Sequence, residues 1–188
     1  MGNRPGKAAI LRAAVSVMGE DGYEGSSIRD MAARAGVSVA ALYYHFPSKL
    51  ELLREFLDEA HEVTLARIDR RLAAAPQEPL AQLDELVATL IWTHLHDDFA
   101  RLASNVALRE YTRLHPPERK AIDEKRQRLL FLVSSIVGDI GCDEPVETAR
   151  AIVTLCTSLV EPFAEMGRTM DEVIELYQGF ARRLVLAG

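Results

Sequence analysis

Long apolar runs are missing from this 188-residue chain. No stretch of about 18 apolar residues occurs, which excludes a membrane-spanning helix by length, and Met1 to Lys7 lacks the basic-then-apolar order of a secretory signal. The expected location is therefore the cytoplasm, with no membrane partner. Cysteine is scarce too. Cys142 and Cys156 have neither Cys-x-x-Cys spacing nor nearby histidine partners, which argues against a disulfide scaffold or a zinc site and for ordinary reduced thiols. Alternating β-branched runs are absent, so a sheet is not expected. Also absent are a Gly-rich phosphate loop, a nucleophile elbow, a His-Glu-x-x-His pair, internal repeats and a low-complexity tail. What remains is 48% hydrophobic, enough for a sizeable core in one or two compact domains.

The net charge of −6 argues against a nucleic-acid partner only until it is divided along the chain. Residues 1–50 carry Arg4, Lys7, Arg12, Arg29, Arg34 and Lys49 against Glu20, Asp21, Glu24 and Asp30, a balance of +2 that leaves −8 for the remainder. A mildly basic head on an acidic body is compatible with DNA binding by the head alone.

Apolar residues recur at spacings of three and four, and breakers divide the chain into about nine helices, an all-α, two-part protein. Ile10, Ala13, Ala14, Val17 and Met18 form the inner face of a first helix that stops at Asp21-Gly22. Ser26 or Ser27 caps a second helix, whose face is Ile28, Met31, Ala32 and Ala35 and whose end is Gly36. Ser38 caps a third, and Pro47-Ser48 ends it and caps a fourth, which links the two parts at about 49–75. Further helices are expected near 79–95, 97–114, 117–138, 144–166 and 169–186, with breaks at Gly138 to Pro145 and at Gly167. The boundary predicted between the parts separates 1–50 from 51–188.

Aromatic residues make up only 6% of the chain, yet Ser38 to Lys49 (SVAALYYHFPSK) holds two tyrosines, a histidine and a phenylalanine. Two short helices joined at Gly36-Val37 have the proportions of a helix-turn-helix, the glycine accommodating a positive φ. Measured from Leu42 at 100° per residue, Phe46 lies at about 40° and Val39 at about 60°, an inward wedge, whereas Ala40 and Tyr44 lie near 160° and 200°. Tyr43 and His45 flank that outward face. A duplex accounts for the pattern: small alanines permit close approach to the major groove, tyrosine edges meet thymine methyls or phosphates, and Lys49 neutralises backbone charge. The alternative is that Tyr43 and Tyr44 pack on the body of the same protein. Arg4 and Lys7 precede the first helix in an arm that either reaches DNA or is simply solvated.

The segment GYEGSSIRDMAARAGVSVAALYYHFPSKLELL resembles the DNA-binding signature of the TetR family of bacterial transcriptional regulators. The matching elements are Gly22, Ser27, Ala32, Ala33, Gly36-Val37-Ser38, Leu42-Tyr43, His45-Phe46 and Ser48-Lys49. The resemblance covers roughly residues 7–55; the rest agrees only in length and helical pattern. It implies phosphate contacts from Ser27, Tyr43, His45 and Lys49, and base-reading or groove-facing positions for Arg29, Ser38, Val39, Ala40 and Tyr44. Many relatives have Lys or Gly where this chain has Val39 and Ala40, so direct hydrogen bonding to bases is expected to be sparse, with thymine methyls and DNA shape doing more.

The same resemblance implies that the second part is a helical ligand-binding and dimerisation domain. Its last two helices carry Ala149, Ile152, Val153, Cys156, Leu159, Val160 and Phe163, then Val173, Ile174, Tyr177, Phe180, Ala181 and Leu184, apolar faces broad enough for both a core and a homodimer contact. Alternatively one monomer consumes them. Trp92, Leu95, Phe99, Leu102 and Val106 follow one face across an expected kink at Asp97-Asp98, and Arg109 and Arg113 continue the line. The candidate effector residues are thus Trp92, Phe99, Leu102, Asn105, Val106, Arg109 and Glu161. Arg109 either anchors an anionic group or pairs with Glu110, Glu118 or Glu161, the pairing being the plainer reading. Glu161-Pro162 is either a polar pocket wall or a simple kink. An enzyme reading has only His94 and Asp98 at i and i+4, with His96 nearby, two metal ligands at most. The function implied is a homodimeric regulator, a repressor by expectation, that binds a palindromic double-stranded operator, needs no cofactor or metal, and is released by a small hydrophobic or amphipathic effector. The other class in contention is a helical adaptor with a degenerate DNA-binding head.

Overall fold

The computed structural model describes residues 6–103, 111, 114, 116–158 and 167–186, the side chains of 118 and 121 excepted. The fold is all-α. Among the described residues there are eight helices, a further helical stretch at 98–103 and no strand. They are α1 (Lys7–Gly25), α2 (Ile28–Arg34), α3 (Val39–His45), α4 (Lys49–Ala74), α5 (Pro79–His96), α6 (Pro116–Ile140), α7 (Pro145–Ser158) and α8 (Met170–Leu186). Two compact units emerge, Met1–Ala60 with Leu102–Ile122, and His61–Arg101 with Asp123–Gly188. The cut therefore falls inside α4, ten residues beyond the expected one at 50, because Leu52, Leu53, Phe56, Leu57 and Ala60 are buried side chains of the first unit.

The helix ends follow from local chemistry. α1 breaks at Gly22, which takes φ 73 and ψ 171 before one more helical turn to Gly25. A left-handed φ there costs a β-carbon residue about 1–2 kcal/mol. Ser27 caps α2, its Oγ accepting from the Asp30 amide at 3.1 Å while its hydroxyl donates to the Asp30 carboxylate. Ser38 caps α3 through the Ala41 amide (3.1 Å) and Ser48 caps α4 through the Glu51 amide (3.0 Å). Each such cap is worth about 0.5–2 kcal/mol against alanine. Gly36, with φ 66, closes α2, its amide donating to the Ala33 carbonyl and that of Val37 to the Ala32 carbonyl.

In the first unit, Ile10, Leu11, Ala14, Val15, Val17 and Met18 of α1 are buried with Met31 and Ala32 of α2 and Leu42 of α3. Ala13 is half-buried, at the edge of that face. The second unit has its own core, built on Leu83, Leu86, Val87, Leu90 and Ile91 of α5, Val133 and Val137 of α6, Ile152 and Cys156 of α7, and Val173, Tyr177, Ala181 and Val185 of α8. The four α8 residues recur every fourth position, the helical period placing them on one inward stripe. Arg182 forks onto both carboxylate oxygens of Asp84, and Gln178 donates to the Asp84 carbonyl at 3.0 Å, so α8 is tied to α5 by directed bonds as well as by burial. Thr169 and Glu172 form a reciprocal capping box at the start of α8 (2.8 and 3.3 Å).

Candidate nucleic-acid interface

α2 and α3 are placed by what lies beneath them. Arg34 at the end of α2 forks onto Glu20 of α1 with two bonds of 2.7 Å and donates to Ser16 at 3.0 Å. The Arg34 hydrogen bonds hold the Glu20 carboxyl below the ordinary carboxylate range, and Glu20 in turn raises the Arg34 guanidinium. From α3 only Leu42 and the capping Phe46 go inward, both fully buried, and the Lys7 ammonium lies 5.3 Å above the Phe46 ring.

The opposite face of α3 is exposed: Val39, Ala40, Tyr43 and Tyr44 all lie on it. Tyr44 is 84% exposed and Tyr43 46%, which decides against their packing on the body of this chain. Tyr44 meets His45 edge to face, with ring centroids 5.3 Å apart. Val39 departs from the expected inward wedge. It occupies the first residue of α3, where the wedge formed by Leu42 and Phe46 no longer reaches it, and joins the outer face. Ser27, Arg29 and Ser38 are exposed and His45 is half-buried. Ser27 and Ser38 spend their oxygens on capping. Lys49 is half-buried and its ammonium donates to the main-chain oxygens of Tyr23 and Ser26, 4.5 Å above the Tyr23 ring. It is thus engaged with the junction of α1 and α2.

Of the expected effector residues, Trp92, Phe99 and Leu102 lie among the described residues. Trp92 is 43% exposed, on the side of α5 away from the core, stacked on His96 (5.1 Å, 1° between planes) with the Arg67 guanidinium 5.0 Å from its ring. The reason is register: the buried stripe of α5 runs through Leu83, Leu86, Val87, Leu90 and Ile91 to His94, and Trp92 falls outside it. Phe99 is buried. Leu102 sits against the Cα of Gly19 in α1, where a side chain on Gly19 would overlap it. The kink expected at Asp97-Asp98 is present, Asp97 having φ −104 and ψ 93; its carboxylate caps the next helical stretch through the Ala100 amide (3.2 Å) and accepts from Arg67 (3.1 Å). Asn105, Val106, Arg109, Arg113 and Glu161 lie outside the described residues.

His94 and Asp98 do not make a ligand pair, because the break at Asp97 takes them off a common helix: His94 is 4% exposed, while Asp98 is exposed and bonded to Arg101. Among the described residues no group of three or more His, Cys, Asp or Glu side chains is placed to hold a metal. The buried polar trio Thr89, Thr93 and His94 of α5 was missed by sequence reasoning. Its signal was available, since His94 stands three and four residues beyond Ile91 and Leu90 on the apolar stripe. Both cysteines are free and buried; burial pushes the Cys156 thiol up to about 12, which suppresses the reactive thiolate.

The head is a helix-turn-helix with an exposed third helix, and comparison with known proteins shows what it resembles. Residues 10–56 match the family model described as bacterial regulatory proteins, tetR family. An uncharacterized HTH-type transcriptional regulator, YvdT of Bacillus subtilis, is 25% identical over 178 residues, 90% of this chain and 87% of that protein. The HTH-type transcriptional repressor KstR of Mycolicibacterium smegmatis is 37% identical over 87 residues, 46% of this chain and 42% of that protein. Among solved structures, a tetR-family regulatory protein from Rhodococcus RHA1 superposes with a TM-score of 0.81 at 23% identity, covering 95% and 96% of the two chains. AibR in complex with isovaleryl coenzyme A and operator DNA gives 0.79 at 20% identity, covering 93% and 96%. Residues 10–56 thus match the tetR family model, and over most of its length the chain is similar to an HTH-type transcriptional regulator and shares the fold of tetR-family proteins. Among the described residues no helix is long and apolar enough to cross a membrane.

Proposed function

We propose that this regulator is a homodimeric repressor whose α3 reads a palindromic operator and which a small hydrophobic or amphipathic effector releases. The observation that carries the reading is the division of α3, with Leu42 buried inside and Val39, Ala40, Tyr43 and Tyr44 in water outside. Seven residues make a helix about 10 Å long, a fit to a major groove about 12 Å wide. Val39 and the tyrosine rings offer carbon to thymine methyls, Ala40 leaves room for close approach, and Arg29 and Ser38 add donors beside the base edges. Tyr43, His45 and Ser27 face the flanking phosphates, which fix register without reading sequence.

Val146 of α7 and Leu184 and Leu186 of α8 are exposed apolar side chains on the two helices proposed to meet a second copy. A two-fold dimer presents its two reading helices about 34 Å apart, one turn of the duplex. For release, the effector need only bind better to the conformer whose heads are misplaced for successive grooves. The fold-similar AibR was crystallised with both an acyl-coenzyme A thioester and operator DNA, which supports a fold able to take two such partners. Arg109 is proposed either to anchor an anionic effector or to form an ion pair. Arg109→Ala with normal melting and weakened binding of an anionic effector supports the anchor; loss of folding supports the pair.

The test is selection of bound fragments from randomised and genomic duplexes by the purified protein. A two-fold symmetric site bound by a dimer supports the reading, and genes flanking the genomic site then constrain effector chemistry. Strong asymmetric single sites bound by a monomer contradict it. Failure to retard any duplex in gel shifts favours the adaptor alternative.

A further inference from the structure

We propose that Lys49 is a positioning residue, a latch that ties the start of α4 to the α1–α2 junction and so sets where the reading head stands. The proposal rests on the DNA-reading function above and departs from the phosphate contact that the family resemblance implies for this lysine. The junction interrupts the helical backbone of the head. Gly22 leaves the helix, one turn follows, and α2 begins anew at the Ser27 cap, so the carbonyls of Tyr23 and Ser26 stand where the regular ladder is broken. Orphan carbonyls at a helix end carry partial negative charge and take a cation well.

Lys49 supplies it. The ammonium donates to both carbonyls and lies 4.5 Å from the Tyr23 ring centroid, while its backbone begins α4. Ser26 is itself buried and its hydroxyl donates to the same Tyr23 oxygen at 3.1 Å. Two further charged contacts run from α1 to α4, Lys7 to Glu55 at 2.7 Å and Arg12 to Glu59 at 3.6 Å, but both involve exposed side chains near the other end of α1. Lys49 meets the junction itself. With two of its three donors on carbonyl oxygens and its ammonium over the Tyr23 ring in a half-buried site, the lysine acts on DNA through the placement of Ser27 and α2.

The experiment uses the full-length protein and the operator duplex selected for it, with Lys49→Met and Lys49→Arg beside the parent. Methionine keeps the carbon stem over Tyr23 and removes every donor; arginine keeps a charge that reaches phosphate as well as lysine does. Operator affinity is measured across salt concentration, and amide hydrogen exchange is followed at residues 26–32. The latch predicts at least a tenfold loss of affinity in Lys49→Met, a slope of log affinity against log salt equal to the parent's, and faster exchange at the start of α2. It also predicts that Lys49→Arg, with its charge intact, shows the same faster exchange. A slope reduced by about 0.9 with unchanged exchange, as loss of one phosphate neutralisation gives, overturns it. So does unchanged affinity in Lys49→Met. Should Lys49→Met not fold, exchange in Lys49→Arg decides: parent-like protection at 26–32 overturns the latch. If the parent binds no duplex, the DNA-reading function fails, while the exchange arm still judges the latch.

Discussion

Tyr44 on α3 and Trp92 on α5 are both large aromatic side chains turned toward water, yet their surroundings differ. Tyr44, 84% exposed, has only the edge of His45 against its ring among the contacts described. Trp92 has an imidazole stacked flat on it and, 5.0 Å from its ring, the guanidinium of Arg67, which is itself held by Thr93 and Asp97. One aromatic is presented; the other is packed by its neighbours at the surface. The difference teaches that exposure alone does not mark a contact residue. An aromatic already stacked on charged and planar partners has much of its interaction satisfied within the chain, whereas Tyr44, met only by the edge of His45 among the contacts described, retains most of its ring and its hydroxyl for something else.

The strongest way to break the comparison is to attack the inside of α3 in place of its outside. Phe46→Ala empties a fully buried site and is expected to cost about 3–5 kcal/mol of stability, taking operator binding down with the head; urea unfolding checks it. Tyr44→Ala is expected to leave the melting curve within about 0.5 kcal/mol of the parent while costing about 1–3 kcal/mol of operator affinity. Tyr44→Ala destabilising as much as Phe46→Ala would erase the distinction between presented and packed.

A smaller effect is expected in alkali, confined to the core of the second unit. Cys156 has its pKa raised by burial to about 12, and Tyr177, raised by burial and then by the Cys156 charge, also reaches about 12. Folded pKa values above the unfolded ones mean that the stability is fully present below about pH 9, the free thiol's range, and is lost progressively as pH rises toward 12. Thermal melts from pH 8 to 11 should therefore fall, and a thiol reagent should modify Cys156 only as fast as the unit opens. In acid the direction reverses for Glu20. Its pKa is lowered by Arg34, so the contribution of that pair is present at neutral pH and disappears as pH falls through the lowered folded value. The pair is solvent-exposed, and Glu20→Gln is expected to flatten only a small acid-side slope in melting temperature.

Smallest of all should be Trp92→Phe. With Trp92 on the outside of α5 rather than on the core stripe, the substitution is expected to shift stability by no more than about 0.5 kcal/mol and to leave operator affinity and effector response unchanged. An effector that alters Trp92 fluorescence at the concentration that dissociates the operator, and whose binding is lost in Trp92→Phe, would restore this residue to the sensor site.

Much of the head was legible because its signals are local. Gly22, Ser27, Gly36, Ser38 and Ser48 each act within four residues, as break, cap or turn, and the structure has each where the sequence placed it. Leu42 and Phe46 follow from the helical period alone. Lys49 was not legible in this way, since the carbonyls it meets lie 23 and 26 residues earlier in the chain. The second unit was harder for a related reason. Its apolar stripe on α5 is so rich that Trp92 and His94 both look like members from spacing, and only the packing of α7 and α8 selects which side is inside. Leu102 was read with the effector trough, but a bare Cα at Gly19, some eighty residues before it, receives its side chain.

The central claim, that the outer face of α3 chooses sequence while the rest of the head holds it in place, is tested most directly by one comparison. A randomised duplex pool is selected in parallel by the parent and by Tyr44→Ala, and the ranking of half-site variants is read from both. The account predicts that the two rankings differ at one or two base pairs placed symmetrically in each half-site, with the remaining positions unchanged. Identical rankings, with Tyr44→Ala merely weaker on every sequence, would contradict it.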